Sequence, residues 1–163
     1  VVLAGGALAA AIRRNPACVT GDGKRTVRQL IARRNAERRQ SDPSNLIPWN
    51  GETRRNLAEL GRSPGDVPAA GERVRVRLTN NYHTGGTVDV VTDAVPARAL
   101  KIAQRIAREL ALPLVGIDFL IDRPSRRMTV IEVSPDMAIS PPEGEAVAKR
   151  FLDCLFPNPD VES

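Results

Sequence analysis

The amino-acid sequence predicts an α+β fold, a mainly antiparallel sheet with helices packed on one face. Three observations predict it. Short apolar segments alternate with polar residues at the period of strands, turn signals join several of them as hairpins, and amphipathic segments with helical spacing stand between them. The 163 residues, 42% of them hydrophobic, suffice for one core, so we expect residues 1–163 to form a single domain.

The chain opens with a hairpin and a basic helix. VVLAGGALAA contains the two-residue turn signal Gly-Gly, which places Leu3 opposite Leu8. The segment 24–39 then reads as a helix whose start is marked by Thr26, because a threonine followed three residues later by glutamine forms a capping box. Its apolar stripe is narrow, so one face packs on the core and the remainder is solvated.

The middle of the chain is irregular and then becomes a strand. Residues 40–71 are rich in Pro, Ser, Asn and Gly, so we expect a surface excursion with one short helix at about 52–60. ERVRVRLT at 72–79 alternates apolar residues with arginine, as a half-buried strand does. We expect its arginines on one face: Arg73, Arg75 and Arg77. A polar glycine loop, NNYHTGGT, and a short strand, VDVV, follow.

Two further helices flank the last hairpin. The segment 96–112 begins at a proline, which suits the first turn of a helix, and repeats apolar residues with helical spacing. The segment 144–155 carries a row of apolar residues on one face: Val147, Phe151 and Leu155. Between these helices, GIDFLIDRPSRRMTVIEVS reads as two strands joined by a loop centred on Ser125.

This hairpin contains two acids inside otherwise apolar strands. Counting outward from Ser125 gives the register: Asp122 faces Met128, Leu120 faces Val130, and Asp118 faces Glu132. Because side chains alternate between the faces of a sheet, the facing residues share one face. The opposite, core face is then formed by Ile117, Phe119, Ile121, Ile131 and Val133.

The facing acids, Asp118 and Glu132, need a third partner. Like charges at cross-strand distance repel, so half-buried carboxylates either share a proton or hold a cation between them. Hard divalent cations such as Mg²⁺ take carboxylate oxygens and usually share them with phosphates. Ser134 points to the same face and adds a third oxygen. Pairing of the acids with arginines on an exposed face is the alternative that the residues leave open.

Charge and aromatic content indicate which kinds of partner the chain can bind. The net charge is +5 and the pI about 10.0, so we expect an anionic partner: a nucleotide, a nucleic acid, an acidic substrate or a membrane surface. The excess is concentrated at 24–39. A single Trp and a single Tyr count against single-stranded nucleic acid, which stacks on aromatic side chains.

Cysteine usage and hydropathy indicate the cellular compartment. Two distant cysteines without CxxC spacing argue against a disulfide scaffold or a zinc site, so we expect a cytoplasmic protein. No apolar stretch is long enough to span a bilayer, and no signal peptide is visible. Because the first residue, Val1, already reads as strand, we expect the chain to begin inside a larger protein.

Four stretches in order, RRNPACVTGDGKRTVRQLI, RVRLTNNYHTGGTV, LVGIDFLI and VIEVS, resemble the C-terminal part of the ATP-grasp fold. The resemblance is closest to amino-acid ligases, N-acetylglutaminylglutamine synthetase and cyanophycin synthetase, and more distant to prokaryotic glutathione synthetase. It implies an ATP-dependent carboxylate–amine ligase that acts through an acyl phosphate. It also implies that the N-terminal lid is missing here, so the chain alone would bind ATP poorly and be inactive.

The resemblance implies a metal site on the hairpin. Asp118 and Glu132 would be ligands of Mg²⁺ or Mn²⁺ that bridge the ATP phosphates. Ser134 stands where the family usually has Asn, also a metal ligand. The sequence after the glutamate, EVSPD, departs from the usual Glu-Val-Asn followed by Pro-Gly, and Asp136 is the residue that could compensate.

The resemblance also implies roles outside the hairpin. Arg14 and Arg77 would stabilise charge on the transferred phosphoryl group and the acyl phosphate. Asn81, Gly85 and Gly86 fall in the loop whose amide and backbone donors contact the acceptor or the intermediate.

Two alternatives to the ligase stay open from the sequence: a non-catalytic basic binding module, and a degenerate ATP-grasp domain that has lost catalysis. Asp118 and Glu132 on different faces would support the second over the ligase. Under the ligase interpretation the partners are ATP and amino-acid or peptide substrates, with no membrane partner. A homo-oligomer is neither required nor excluded.

Overall fold

The computed structural model describes residues 1–122, 125, 127–135 and 144–156. Within these ranges the mainly antiparallel sheets and four α-helices confirm the α+β class. The helices are α1 (Val27–Ser41), α2 (Gly51–Glu59), α3 (Ala97–Glu109) and α4 (Gly144–Leu155). The strands are β1 (Val2–Ala4), β2 (Ala7–Ala10), β3 (Ile12–Asn15), β4 (Cys18–Thr20), β5 (Arg73–Arg75), β6 (Thr87–Val90), β7 (Leu114–Ile121) and β8 (Met128–Ser134).

Tertiary contacts divide the chain into two compact units. Unit 1 comprises Val1–Arg13 and Val90–Ser163, and unit 2 comprises Arg14–Asp89. Each unit has its own buried apolar core, and β3 pairs with β6 in a two-stranded sheet. The expectation that residues 1–163 form a single domain stays a prediction. Among the described residues, no helix has the length and apolar character needed to cross a membrane.

Unit 1 is built on a four-stranded sheet in the order β2-β1-β7-β8. Its first hairpin pairs Leu3 with Leu8, as the Gly-Gly turn predicts. Leu3 packs with Ala103 of α3, whereas Val2 packs with Val147 of α4, so the two helices cover opposite faces. The prediction of helices on one face is therefore wrong. The physical reason is β1, a fully apolar central strand that must be covered on both sides.

Unit 2 brings α1 and α2 together with β4 and β5 around one core. The predicted capping box of α1 is present: the N–H of Gln29 donates to Thr26 Oγ1 at 3.3 Å, and the N–H of Thr26 donates to Gln29 Oε1 at 2.9 Å. The stretch 40–71, expected as a surface excursion, contains α2 and supplies core side chains, with Ile47 1% and Leu57 0% exposed.

Candidate functional site

The two acids of the last hairpin face each other across β7 and β8. Asp118 and Glu132 are direct cross-strand partners, which confirms the predicted pairing. They share the face opposite the one that packs on α3, because Ile117 lies in the α3 cluster and neighbouring side chains alternate. Asp118 is half-buried and Glu132 is exposed. Different faces would have favoured the degenerate-domain alternative over the ligase, and the structure does not show that arrangement.

Between the loop and the two acids, the predicted register is wrong by one residue. Leu120 pairs with Thr129, not Val130, and Met128 pairs with Ile121, not Asp122. Near the loop, the N–H of Asp122 donates to the carbonyl of Arg127 at 2.9 Å, so the hairpin closes one residue earlier than counting from Ser125 implies. A β-bulge at Ile131 adds one unpaired residue to β8, so from Asp118 and Glu132 onward the pairing agrees again with the predicted count.

Two residues predicted on the core face are exposed, one at the bulge and one at the end of a strand. Ile131 is the extra residue of β8 and is 64% exposed, so its predicted place in the core is wrong. Ile121, at the outer end of β7, is 40% exposed. Ile117 is 0% exposed, which confirms that its face of the hairpin is buried. Phe119 and Val133 pack against the same cluster.

The oxygen donors on this face fit a hard divalent cation. Ser134 is half-buried, lies two residues from Glu132 on the same face and pairs with Gly116 across the hairpin. Two carboxylates and a hydroxyl suit Mg²⁺, which binds through one or two carboxylates together with phosphates and waters. No cluster of three or more His, Cys, Asp or Glu that could hold a metal occurs in the described part of the chain. Asp136, the expected compensating ligand, lies outside the described residues.

Arg77 is buried in unit 2 and bound to the first turn of α2. Its side chain is 3% exposed, and Nη2 lies 2.8 Å from Oε2 of Glu52. Nη1 donates to Thr53 Oγ1 at 3.1 Å and to Asn50 Oδ1 at 3.5 Å. The sequence did not predict these partners, because Thr53 and Asn50 lie 24 and 27 residues before Arg77 and no local pattern indicates the contact.

The arginines of the fifth strand do not share one face. Arg73 and Arg75 are exposed and Arg77 is buried, so that part of the prediction is wrong. The reason is that β5 ends at Arg75, after which Val76 and Arg77 are both buried and the alternation stops. Arg14, the other predicted catalytic arginine, is exposed on β3.

The glycine loop, Asn81–Gly86, is stabilised by its own backbone. Asn81 is exposed, and its Oδ1 accepts from the N–H two residues later at 2.9 Å. The N–H of Gly86 donates to the carbonyl of Asn81 at 3.1 Å, and the N–H of Gly85 donates to that of Tyr82 at 3.0 Å. The two glycine donors that the resemblance assigns to substrate are therefore engaged inside the loop.

Packing alone requires glycine at both positions. Gly85 has φ +88°, and a Cβ there would lie 2.2 Å from Cγ1 of Ile47. A Cβ on Gly86 would lie 2.6 Å from the carbonyl oxygen of Asn81 and 2.8 Å from that of Asn15. These distances are far inside van der Waals contact. The close neighbours of both glycines are protein atoms, and their predicted contact with substrate stays a prediction.

Tyr82 connects this loop to Asp42. Its hydroxyl donates to the Asp42 carboxylate, and that hydrogen bond, with desolvation, raises the pKa of Tyr82 from its ordinary value of 10.0. Hydrogen bonds from Ser44 and from Tyr82 hold the pKa of Asp42 below its ordinary value of 3.8. The contact joins an ionised carboxylate to a neutral phenol. Sequence reasoning missed it because 40 residues separate the two partners.

The predicted site residues are distributed over both units. Asp118, Glu132 and Ser134 belong to unit 1. The other predicted residues belong to unit 2: Arg14, Arg77, Asn81, Gly85 and Gly86.

Known proteins match the chain over nearly its whole length. It is 30% identical to cyanophycin synthetase of Trichormus variabilis over 173 aligned residues, covering 97% of this chain and 19% of that protein. It is 29% identical to the glutathione biosynthesis bifunctional protein GshAB of Streptococcus thermophilus over 165 residues, covering 91% of this chain and 22% of that protein. No family profile matches.

The fold is also found in a solved structure. A bifunctional glutathione synthetase from Pasteurella multocida superposes with a TM-score of 0.64 at 24% identity, covering 83% of this chain and 20% of that one. At that identity the likeness shows the fold alone. The chain spans about a fifth of the length of the relatives it matches. The resemblance to cyanophycin synthetase and glutathione synthetase drawn from the motifs is thereby confirmed.

Proposed function

Because the chain is homologous to part of the ATP-grasp ligases, we propose that it supplies catalytic residues of an ATP-dependent carboxylate–amine ligase in the cytoplasm. The substrates are ATP, an amino acid or peptide that offers a carboxylate, and a second one that offers an amine. Since the chain spans about a fifth of its relatives, the reaction is proposed for the protein at its natural full length.

The observation that carries the proposal is the facing pair of acids. Asp118 and Glu132 are held opposite each other by the ladder of β7 and β8. Like charges at that spacing repel, and a divalent cation shared by the two carboxylates would offset the repulsion. A bound Mg²⁺ or Mn²⁺ would neutralise charge on the ATP phosphates and polarise their oxygens. The two carboxylates and the hydroxyl of Ser134 would hold and orient that ion.

The reaction proceeds in two displacements. The substrate carboxylate oxygen attacks the γ-phosphorus of ATP, the bond from that phosphorus to the β-phosphate oxygen breaks, and ADP leaves. The amine nitrogen then attacks the acyl carbon, phosphate leaves with the oxygen that came from the carboxylate, and the nitrogen releases a proton to solvent. Both steps develop negative charge on oxygen, so cationic and hydrogen-bonding groups accelerate them.

We assign two arginines to that charge. Arg77 offers a planar, permanently charged guanidinium whose orientation is fixed by Thr53, and such a group suits phosphate and carboxylate. Its Nη2 is taken by the carboxylate of Glu52, which is 41% exposed, so this donor reaches an anion only when Glu52 turns away. Arg14 is exposed on β3, and we assign its guanidinium the same role. The glycine loop, with the exposed amide of Asn81, contacts the acceptor or the acyl phosphate.

The test measures ADP and phosphate released by the full-length protein in mixtures of amino acids, ATP and Mg²⁺. Asp118→Asn and Glu132→Gln remove one charge each with little change in size, and each should lower kcat at least about a hundredfold, the scale of losing one electrostatic group in an active site. Glu109→Gln, an exposed acid at the end of α3 in the same unit, is the matched control and should leave the rate unchanged. Full activity of both hairpin variants would refute the assignment.

A further inference from the structure

The glycine loop is held from outside by a second stretch of unit 2, Asp42–Ile47, here called the bracing segment. The hydroxyl of Tyr82 donates to the Asp42 carboxylate near its beginning. The Nδ2 of Asn45 donates to the carbonyl of Gly86 at 2.8 Å, at the opposite end of the loop. The loop is therefore tied at both ends to a segment about 40 residues earlier in the chain.

The end of the bracing segment is itself fixed. The side chain of Asn35, on α1, donates to the carbonyl of Ile47 at 2.7 Å and accepts from its N–H at 2.9 Å. Ile47 is 1% exposed and forms the wall that leaves no room for a Cβ on Gly85. The loop thus rests on a rigid surface that belongs to the helical core of unit 2.

Asn45 is an unusual residue to bury. It is 1% exposed, and its Oδ1 has no hydrogen-bond partner in the part of the chain that the structure describes. A buried carbonyl oxygen left unpaired is costly, and an apolar side chain of similar size would avoid that cost. The hydrogen bond that the side chain of Asn45 makes is to the loop, so we infer that its amide is there to hold the loop.

We propose that Asp42 and Asn45 are positioning residues for the glycine loop, holding it in the conformation in which it meets the acceptor. Neither residue touches the reacting atoms; each acts through a loop residue, Tyr82 or Gly86. The inference rests on the proposed ligase function for its catalytic consequence. The holding of the loop itself is independent of that function, and the two are tested by different measurements.

The first measurement is spectroscopic. Tyr82 is the only tyrosine among the 163 residues, so in a protein limited to them the ultraviolet absorbance of ionised phenol reports on it alone. In the unmodified protein the phenol should titrate above its ordinary pKa of 10.0, because Asp42 accepts its proton in a hydrogen bond and opposes ionisation. The side chain of Asn45 and then the charge of Arg38 act in the other direction. Asp42→Ala should lower the Tyr82 pKa, and Asp42→Asn, which keeps an acceptor oxygen without the charge, should lower it less. Gln40→Ala, exposed in the last turn of α1, should leave it unchanged.

The second measurement is kinetic and uses the full-length protein. Tyr82→Phe and Asp42→Ala remove the two ends of one hydrogen bond, so each should lower kcat/KM for the amine acceptor about tenfold, the equivalent of one hydrogen bond, and the double variant should lower it no further. Asn45→Ala should act similarly through Gly86. The KM for ATP should not change in any of them, and Asp42→Asn should restore part of the loss.

The outcomes separate the two claims. A Tyr82 pKa that does not move in Asp42→Ala overturns the positioning proposal, and so do variants that shift the pKa yet leave acceptor kinetics unchanged. A merely structural role would lower the stability without splitting acceptor from ATP kinetics. If the unmodified protein releases no ADP with any acceptor, the ligase proposal fails, and the titration still decides whether Asp42 holds the loop.

Discussion

Replacing Gly85 by alanine tests whether packing explains the glycine of the loop. Its φ is +88°, and an added Cβ would lie 2.2 Å from Cγ1 of Ile47, more than an ångström inside contact. A left-handed backbone costs a residue with a side chain about 1–2 kcal/mol, and overpacking adds about 1–3 kcal/mol, so Gly85→Ala should lower the free energy of unfolding by about 2–5 kcal/mol. Urea unfolding followed by circular dichroism measures this value.

Gly71→Ala is the matched control within the same unit. Gly71 has φ +80°, but a Cβ there meets nothing within 4 Å, so only the backbone cost of about 1–2 kcal/mol applies. In an Ile47→Ala background the additional penalty at Gly85 should shrink, because Cγ1 is gone. Equal destabilisation by Gly85→Ala and Gly71→Ala would refute the steric argument and leave close approach of a substrate as the reason for glycine.

Three other predictions follow from single contacts. Thr26→Ala removes the capping box of α1 and should cost about 0.5–2 kcal/mol in urea unfolding. Hydrogen bonds from Arg25 and Lys24 lower the pKa of Asp22 from 3.8 to about 2, so this stabilisation is present above pH about 4 and lost as the pH falls through 2; Asp22→Asn should flatten that part of the thermal-stability profile. Ile131→Thr, at the exposed bulge, should change stability by less than about 0.5 kcal/mol, whereas Ile117→Ala on the buried face should cost about 2–5 kcal/mol.

The sequence predicts the facing acids correctly through two shifts that cancel. Counting from Ser125 gives the wrong partner for Leu120, because the hairpin closes one residue early, and the right partner for Asp118, because the bulge at Ile131 restores the register. Neither shift is visible in a pattern of alternation, since a bulge is set by local backbone geometry. The carboxylate pair was predictable; the burial of the residues between it and the loop was not.

Contacts between residues far apart in the sequence also could not be predicted. Strand alternation predicts Arg77 on the same exposed face as Arg73, but the strand ends at Arg75. The guanidinium of Arg77 is instead buried against α2, where its partner Thr53 lies 24 residues earlier in the chain. The contact between Asp42 and Tyr82 is likewise tertiary. Local signals behaved differently: the capping box of α1 and the helix expected at 144–155 are confirmed, because caps and helical periodicity depend only on neighbours in the chain.

The most direct test of the proposed mechanism is the fate of the carboxylate oxygen. Amino-acid substrates labelled with ¹⁸O in the carboxylate should yield inorganic phosphate carrying one labelled oxygen per turnover, because the acyl phosphate breaks between carbon and oxygen when the amine attacks. Asp118→Asn and Glu132→Gln should slow the appearance of labelled phosphate at least about a hundredfold, and Glu109→Gln should not. Unlabelled phosphate beside ADP, or label found in AMP with release of pyrophosphate, would contradict activation of the carboxylate by phosphoryl transfer at the Asp118–Glu132 pair.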